Sequence, residues 1–310
     1  MATERNRAEA VDRAFAALSD GTRIDILRAM AEANEPMSFS ALFEAVEYDT
    51  PSNFSYHLDK LTGRFVHKGA DGYVLTWPGK RVVRTVILTG TTSDRGHIDD
   101  TDLDLSCPLC GGDVGLEYHQ HVLSLICFDC QGVHDRIDRG KLFGFPLPPS
   151  GLTDRAPREI LDAAVRFNLK RLTCFQHGIC SNCTAGVISE VSVCRDHTTE
   201  ASGLCGHCGR HHSTEIYYSC THCGLGMYLP GTLSIAMSPA VRAFYQSVDP
   251  DFRPGGWTEF ERALQMTTSV IDDDPVRLRF ETTAEDRHLE IETDDRLEVI
   301  HTTERVRSTS

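Results

Sequence analysis

The sequence predicts an α+β protein in which an N-terminal helical domain with one hairpin precedes metal-binding ribbons and a small antiparallel sheet. Apolar residues recur at helical spacing through much of the first 90 residues. Five Cys-x2-Cys pairs follow between Cys107 and Cys223, a spacing that zinc-binding modules use. After Pro275 the chain alternates apolar and polar residues, which is typical of strands with one buried face.

The first two predicted helices cover Ala8 to Leu18 and the residues that follow Thr22. Ser19-Asp20-Gly21 breaks the first helix, and Thr22 is the expected cap of the second. Apolar residues at helical spacing give each helix one inward face. The residues predicted on these faces are Val11, Ala14, Phe15, Leu18, Ile24, Leu27 and Ala31.

Two more helices are predicted between Ser38 and Leu61. Ser38 is an N-cap candidate for the third helix, whose apolar face carries Leu42, Phe43 and Val46. Thr50 is the expected cap of the fourth helix, where Pro51 at the first position costs no hydrogen bond. The apolar residues that repeat at i, i+4 and i+7 in the fourth helix, and so should face the core, are Phe54, Leu58 and Leu61.

A β-hairpin is predicted after the fourth helix. Its strands are Phe65-Val66 and Tyr73-Val74-Leu75, and Gly69-Ala70-Asp71-Gly72 is the turn. Helix, turn, helix and hairpin in this order are typical of a winged helix-turn-helix. We therefore assign residues 1–90 to a winged helix-turn-helix domain.

The charge distribution indicates a nucleic-acid surface in this domain. Six Lys or Arg residues and two acids lie between Thr50 and Arg84, a local net charge of +4 (six minus two), whereas the whole chain carries −14. A basic segment in an acidic chain is expected where a protein meets DNA phosphates. The alternative is a solvated helical hairpin whose polar residues bind nothing.

Residues from about Ala14 to Ile87 resemble an ArsR-type winged helix-turn-helix, in the form common in halophilic archaea. The matching segments are A-L-S-D-G-T-R-I-D-I-L at 17–27, S-x-x-S-x-H-L-x-x-L at 52–61 and G-R-F-V-x-K-x-x-D-G-Y-x-L-T at 63–76. The later Cys-rich segments and S-P-A-V-R-A-F-Y at 238–245 resemble the regions that follow this domain in haloarchaeal relatives. The resemblance implies a DNA-binding transcriptional regulator.

Double-stranded DNA is therefore the predicted partner. The outer face of the fourth helix would enter the major groove, and Lys68 would contact the backbone or the minor groove. His57 stands at the position of the family's S-x-H-L motif, and the resemblance implies that it reaches a phosphate. The residues predicted at the DNA are Ser52, Asn53, Ser55, Tyr56, His57, Lys60, Arg64 and Lys68.

A fifth helix is predicted from Gly79 to Leu88, with an apolar strip formed by Val82, Val83, Val86 and Ile87. In ArsR-type proteins a helix in this place helps to build the dimer, so the resemblance implies a homodimer and an operator with two half-sites. The alternative is that the strip only closes the domain. The family's usual metal-sensing Cys and Asp/His motifs are missing here, and no particular small-molecule effector is indicated.

The composition favours a cytoplasmic protein with metal-bound cysteines. No segment resembles a signal peptide, and no apolar run is long enough to span a bilayer. Twelve Cys in a reducing compartment favour metal ligation over disulfides. Five Lys against 26 Arg and 45 acids are typical of proteins from a salty cytosol, and a plain acidic mesophilic protein is the alternative.

The first predicted metal site lies in a ribbon at residues 105–150. Two Cys-x2-Cys pairs are separated by sixteen residues, and apolar runs between them predict two strands. Four thiolates form a closed tetrahedron that suits a structural Zn2+. The predicted ligands are Cys107, Cys110, Cys127 and Cys130.

Two more metal sites are predicted within residues 151–235, so that the chain would bind about three Zn2+. Pairing each motif with its neighbour along the chain gives the most economical arrangement. One predicted set is Cys180, Cys183, Cys194 and His197, and the other is Cys205, Cys208, Cys220 and Cys223. Cys174 and His177 also stand at Cys-x2-His spacing, and either is an alternative to His197.

The remaining ranges are a polar linker at 91–104, helices and antiparallel β-structure at 236–304, and a tail at 305–310. An irregular connection is expected from Phe143 to Pro149, and three strands are expected after Pro275. A helix is predicted from Asp154 to about Cys174. Its predicted buried residues are Ile160, Leu161, Ala164, Phe167 and Leu172.

The sequence predicts no enzyme, because no Ser/His/Asp set and no phosphate-binding glycine motif stands out. Cys205-Gly-His-Cys208 resembles a disulfide isomerase motif, but no βαβ pattern surrounds it. The main prediction is a DNA-binding regulator with structural zinc. The alternatives are a metal-sensing or redox-sensing regulator that uses its Cys clusters, and a zinc-ribbon adaptor that binds RNA or protein.

Overall fold

The computed structural model describes residues 2–90 and 98–306, without the side chains of residues 2–8, 86–90, 99 and 100. The chain divides into two compact units, Met1–Asp94 and Arg95–Ser310. The described residues form helices and several small antiparallel sheets, so the predicted α+β class is confirmed at this level. None of the described helices is both long enough and apolar enough to cross a membrane.

The first unit contains helices and one hairpin in the order that the sequence predicts. Its elements are α1 (Ala2–Leu18), α2 (Gly21–Ala33), α3 (Phe39–Ala45), α4 (Pro51–Leu61), β1 (Val66–Gly69), β2 (Gly72–Leu75) and α5 (Trp77–Gly90). The Ser38 hydroxyl caps α3 by accepting a hydrogen bond from the Ala41 N–H at 3.1 Å, as predicted. Thr50 occupies the cap position of α4, but its side chain makes no capping hydrogen bond.

The core of the first unit differs from the prediction in its first two helices. Val11 and Phe15 are exposed, because α1 turns its small residues, such as Ala17, toward the core. In α2 the buried residues are Ile26, Leu27 and Met30, and the helix begins before Thr22, with Asp20 at the cap position. The predicted burial of Phe54, Leu58 and Leu61 in α4 is confirmed.

The hairpin is pinned at its turn by the neighbouring backbone. Gly69 pairs with Gly72 across the predicted turn. Gly72 has a φ of +127°, and a Cβ atom there would lie 2.5 Å from the Met37 carbonyl oxygen. Tyr73 and Met37 exchange two backbone hydrogen bonds of 3.0 and 2.8 Å, so a third short segment joins the hairpin.

The second unit holds three sheets and four α-helices among its described residues. The first sheet contains β3 (Ile98–Ser106), β4 (Asp113–His119), β5 (Val122–Cys127) and β6 (Lys141–Pro146), and α6 (Pro157–Gln176) follows it. The second sheet contains β7 (Val187–Val193), β8 (Thr214–Cys220) and β9 (Gly226–Pro230). The helices α7 (Gly231–Ala236), α8 (Pro239–Val248) and α9 (Trp257–Gln265) lead to the third sheet, which contains β10 (Thr267–Asp273), β11 (Val276–Ala284), β12 (Arg287–Thr293) and β13 (Val299–Val306).

Several predicted connections are strands instead. The end of the predicted linker belongs to β3, where Leu103 is buried between exposed acids, and residues 91–97 lie outside the described part. The predicted irregular stretch from Phe143 largely falls in β6, because Phe145 is buried in the core. The three strands predicted after Pro275 are confirmed as β11, β12 and β13, and β10, which the sequence did not suggest, adds a fourth strand to their sheet. Arg305 of the predicted tail lies in β13.

The helix α6 carries much of the core of the second unit. Ile160, Leu161, Ala164 and Leu172 are buried as predicted. Phe167 is exposed, because Val165, Asn168 and Leu169 occupy the inward face instead.

Candidate functional site

Three clusters of side chains that could hold a metal ion lie in the second unit. In each cluster four ligand atoms lie within 4.8 Å of one another. The twelve residues of these clusters are the twelve that the sequence predicts. The first cluster is Cys107, Cys110, Cys127 and Cys130; the second is Cys180, Cys183, Cys220 and Cys223; the third is Cys194, His197, Cys205 and Cys208.

The first cluster has the predicted membership. Cys107 and Cys110 lie before β4, and Cys127 ends β5, so the antiparallel register brings the two pairs together. The Cys107 and Cys130 Sγ atoms are 4.0 Å apart, and those of Cys110 and Cys127 are 3.5 Å apart. Backbone N–H groups donate to all four sulfurs, for example from Leu109 to Cys107 at 3.4 Å. Such hydrogen bonds favour thiolates, the form that binds metals, but at Cys107 and Cys130 burial outweighs them and raises the pKa of both thiols.

The predicted pairing of the second and third sites is wrong. The strands β7 and β8 form an antiparallel hairpin, and two of the four motifs lie at each end of it. In the register of these strands, Val187 faces Cys220 and Val193 faces Thr214. The motifs that precede β7 and follow β8 therefore meet at one end, and the motifs between the strands meet at the other. One cluster is consequently nested inside the other along the chain.

The second cluster joins the outer motifs. The Cys180 and Cys223 Sγ atoms are 3.7 Å apart, and those of Cys183 and Cys220 are 3.5 Å apart. Backbone hydrogen bonds from Cys223 and His222 lower the pKa of the Cys220 thiol to about 6. A thiol with this pKa is largely ionised at neutral pH and ready to bind a metal.

The third cluster is the one with an imidazole ligand. His197 Nδ1 lies 3.5 Å from Cys208 Sγ, and His197 Nε2 lies 3.2 Å from the His211 carbonyl oxygen. An N–H on Nε2 that donates to this carbonyl leaves Nδ1 free to bind the metal. Burial raises the pKa of the Cys205 thiol, but backbone N–H groups, first that of Cys208, outweigh burial and bring this pKa to about 6.

Cys174 and His177 belong to none of these clusters. Cys174 lies in the last turn of α6, and His177 follows that helix, so neither replaces His197. A further group that the sequence did not suggest, Glu281, His288 and Glu290, lies on β11 and β12. Arg279 and Arg305 already pair with Glu290, at 3.8 and 3.3 Å, which makes this group a weaker candidate for a metal.

In the first unit, α4 presents a polar outer face. Ser52, Asn53, Tyr56 and Lys60 are exposed there, opposite the buried face of the helix. Lys60 Nζ lies over the Tyr56 ring, 5.1 Å from its centroid, so the cation and the aromatic ring form one surface. Lys68 is exposed near the turn of the hairpin, and Ser55 is half-buried.

Two residues predicted at the DNA turn inward instead. The His57 side chain is only 12% exposed, with Nε2 at 3.2 Å from the Tyr48 hydroxyl and Nδ1 at 3.4 Å from Asp20 Oδ1. The Arg64 guanidinium is half-buried and donates to the Ala10 carbonyl of α1. Both side chains therefore make contacts within the first unit, and neither is presented to a ligand as the prediction required.

The contacts of His57 give a first testable prediction. His57→Ala would leave Tyr48 and Asp20 without this partner, and we expect it to lower the free energy of unfolding of the first unit by about 1–3 kcal/mol. Denaturant titration followed by circular dichroism measures this loss, with Tyr56→Ala on the exposed face as the control. A His57→Ala variant that is as stable as the parent but fails to bind DNA would contradict this structural role. It would support the phosphate contact that the resemblance implies.

Comparison with known protein families gives two matches. The family described as "Domain of unknown function (DUF7351)" matches residues 104–299, and the one described as "Domain of unknown function (DUF7347)" matches residues 11–86. The first match covers the three Cys clusters, and the second covers α2 to β2 with the second half of α1 and most of α5. No curated protein and no solved structure matches the chain significantly.

Proposed function

We propose that this chain, which belongs to the family described as a domain of unknown function (DUF7351), is a DNA-binding transcriptional regulator with structural zinc sites. The observation that carries this proposal is the polar outer face of α4, opposite the buried Phe54, Leu58 and Leu61. A helix that is anchored on one side and polar on the other has the shape and the donors to enter a major groove.

The order of helices and hairpin in the first unit supports a winged helix-turn-helix mode of binding. In this mode α4 reads base edges, and the hairpin contacts the backbone beside it. Asn53 and Lys60 are donors suited to adenine and to guanine or phosphate, respectively. Lys68 lies at the hairpin, and its side chain would contact a phosphate or the minor groove.

The charges of the segment from Thr50 to Arg84 also favour DNA. Lys60, Lys68, Lys80, Arg81 and Arg84 are all exposed, in a chain whose net charge is −14. The inward turn of Arg64 removes one cation from the predicted surface, but the exposed cations that remain still outnumber the exposed acids Asp59 and Asp71 between Thr50 and Arg84. Local positive charge in an acidic protein would bring DNA to this segment rather than to the rest of the chain.

The donor sets of the three clusters fit zinc. A tetrahedral site with Zn–S bonds of about 2.3 Å places its sulfurs about 3.8 Å apart. Two sulfur pairs in each of the first two clusters are 3.5 to 4.0 Å apart, and all four sulfurs of each cluster lie within 4.8 Å of one another. Four protein ligands leave no open position for a substrate, so we assign each zinc a structural role: cross-linking segments that the sheets bring together.

Substitutions on the outer face of α4 test the proposal. We expect the full-length protein to bind a duplex sequence chosen by in vitro selection, and Asn53→Ala combined with Lys60→Ala to weaken this binding by about tenfold or more. Arg28→Ala in α2 is the control, because it also removes one exposed positive charge but leaves α4 unchanged. Fluorescence anisotropy at fixed salt measures the affinities. Selection of no sequence, or an equal loss from Arg28→Ala, would contradict the proposal.

A further inference from the structure

An aromatic crevice in the second unit has no role in the proposed function. Its volume is about 210 Å³, and it lies between β6, α6, β9 and α9. Its apolar lining includes the rings of Phe143, Phe145 and Phe260 together with Leu172, Met227 and Leu229.

The aromatic wall of this crevice is already assembled. The Phe260 ring centroid lies 4.9 Å from that of Phe143 and 5.3 Å from that of Phe145, both at steep angles. Edge-to-face contacts of this kind hold the rings in fixed positions. An apolar ligand would therefore enter a preformed site rather than reorganise the core.

One arginine lies at this apolar wall, and none of the described acids pairs with it. Arg171 is half-buried, and its Nη1 donates to Asn168 Oδ1 at 3.2 Å. The Asn168 amide, itself 7% exposed, donates to the carbonyls of Pro146 and Ala164 at 3.2 and 2.9 Å, so its orientation is fixed. No carboxylate of the described residues forms an ion pair with Arg171. Most of its five N–H donors therefore remain for a ligand.

We propose that this crevice binds a small aromatic carboxylate, with the ring against the phenylalanines and the carboxylate on the Arg171 guanidinium. The size agrees, since an apolar cavity of about 150 Å³ holds benzene and the remaining volume suits a carboxyl group. The chemistry also agrees, because a guanidinium binds a carboxylate through two parallel hydrogen bonds. This binding does not depend on whether the chain binds DNA.

A competing role for Arg171 is to offset the charge of the second metal cluster. The Cys180 thiolate acts electrostatically on Arg171, so the two are close enough to interact. In that role the arginine would affect metal content, and a neutral aromatic compound would bind the crevice as well as a charged one. The two roles therefore predict different results for the same substitution.

The test uses the metal-loaded full-length protein with benzoate and phenylacetate as probes, and benzamide and phenylacetamide as their neutral counterparts. Calorimetry and ligand-observed NMR measure binding at a salt concentration where the protein is folded. We expect at least one carboxylate to bind saturably and at least tenfold more tightly than its amide. We expect Arg171→Gln to weaken this binding by tenfold or more while all metal is kept. Met227→Trp should block the crevice and abolish binding while leaving Arg171 in place.

Three results would overturn the proposal. One is that neither carboxylate binds. Another is that the amides bind as tightly as the acids, which would show that Arg171 does not recognise the charge. The third is that Arg171→Gln loses one metal equivalent, which would assign this side chain to the second cluster.

Discussion

Replacing Cys180, Cys183, Cys220 and Cys223 together by serine is expected to remove one zinc per chain and leave two. These four residues are the whole second cluster, and the other two clusters keep all their ligands. The pairing predicted from the sequence, which joins neighbouring motifs, gives a different number. In that pairing the substitution removes half the ligands of two sites, so only one zinc would remain. Elemental analysis of the purified full-length protein measures the difference. We expect a loss of several kcal/mol in the free energy of unfolding of the second unit, since structural zinc contributes directly to folding.

A second variant removes the four ligands that the sequence-based pairing assigns to a single site. Replacing Cys180, Cys183, Cys194 and His197 removes half of the second cluster and half of the third, so we expect the loss of two zinc ions rather than one. Cobalt loading checks that the first variant is still folded, because the third cluster, with three thiolates and one imidazole, should keep its own absorption spectrum. Equal metal loss from both variants would contradict the nested arrangement.

Phe54→Ala is expected to be the most damaging single substitution in the first unit. The Phe54 ring is fully buried, with the rings of Phe39 and Phe43 each 5.4 Å from it. Removing it would leave a cavity and cost about 3–5 kcal/mol of the free energy of unfolding. Denaturant titration followed by circular dichroism measures this cost, and an unchanged metal content would show that the second unit is unaffected.

Phe15→Ala provides the control for this substitution within the same unit. Phe15 is 71% exposed on α1, so its truncation should change the free energy of unfolding by about 0.5 kcal/mol or less. The helical spacing of the sequence placed Phe15 in the core beside Leu18. A cost from Phe15→Ala as large as that from Phe54→Ala would support the sequence prediction against the structure.

The parts of the fold that were predictable depend on local signals. The buried face of α4 follows from three apolar residues one turn apart, and the Ser38 cap follows from its position before Phe39. The first cluster follows from its two Cys pairs, because the strands between them are adjacent in the sequence. In each case the residues that meet are close along the chain, so their spacing in the sequence is enough to predict the contact.

The parts that were not predictable depend on contacts between distant residues. The pairing of Cys180 with Cys223 follows from the register of β7 and β8, and no spacing within either motif encodes that register. His57 occupies a polar position of α4 that reads as exposed. It is an inward residue only because Tyr48, in the connection after α3, and Asp20, at the cap position of α2, lie against it. The sequence pattern predicts only which side of the helix such a residue occupies. Whether its side chain is exposed or buried depends on residues that are distant in the sequence.

The nested clusters imply an order of assembly for the second unit. The contact between His197 and Cys208 closes a loop of 11 residues, whereas that between Cys180 and Cys223 closes one of 43. Closing the short loop first aligns β7 with β8, which shortens the effective distance between the outer thiols and reduces the entropy lost when they meet. Uptake of the inner ion should therefore favour uptake of the outer one, so that limiting metal yields chains that are either fully loaded at this hairpin or empty.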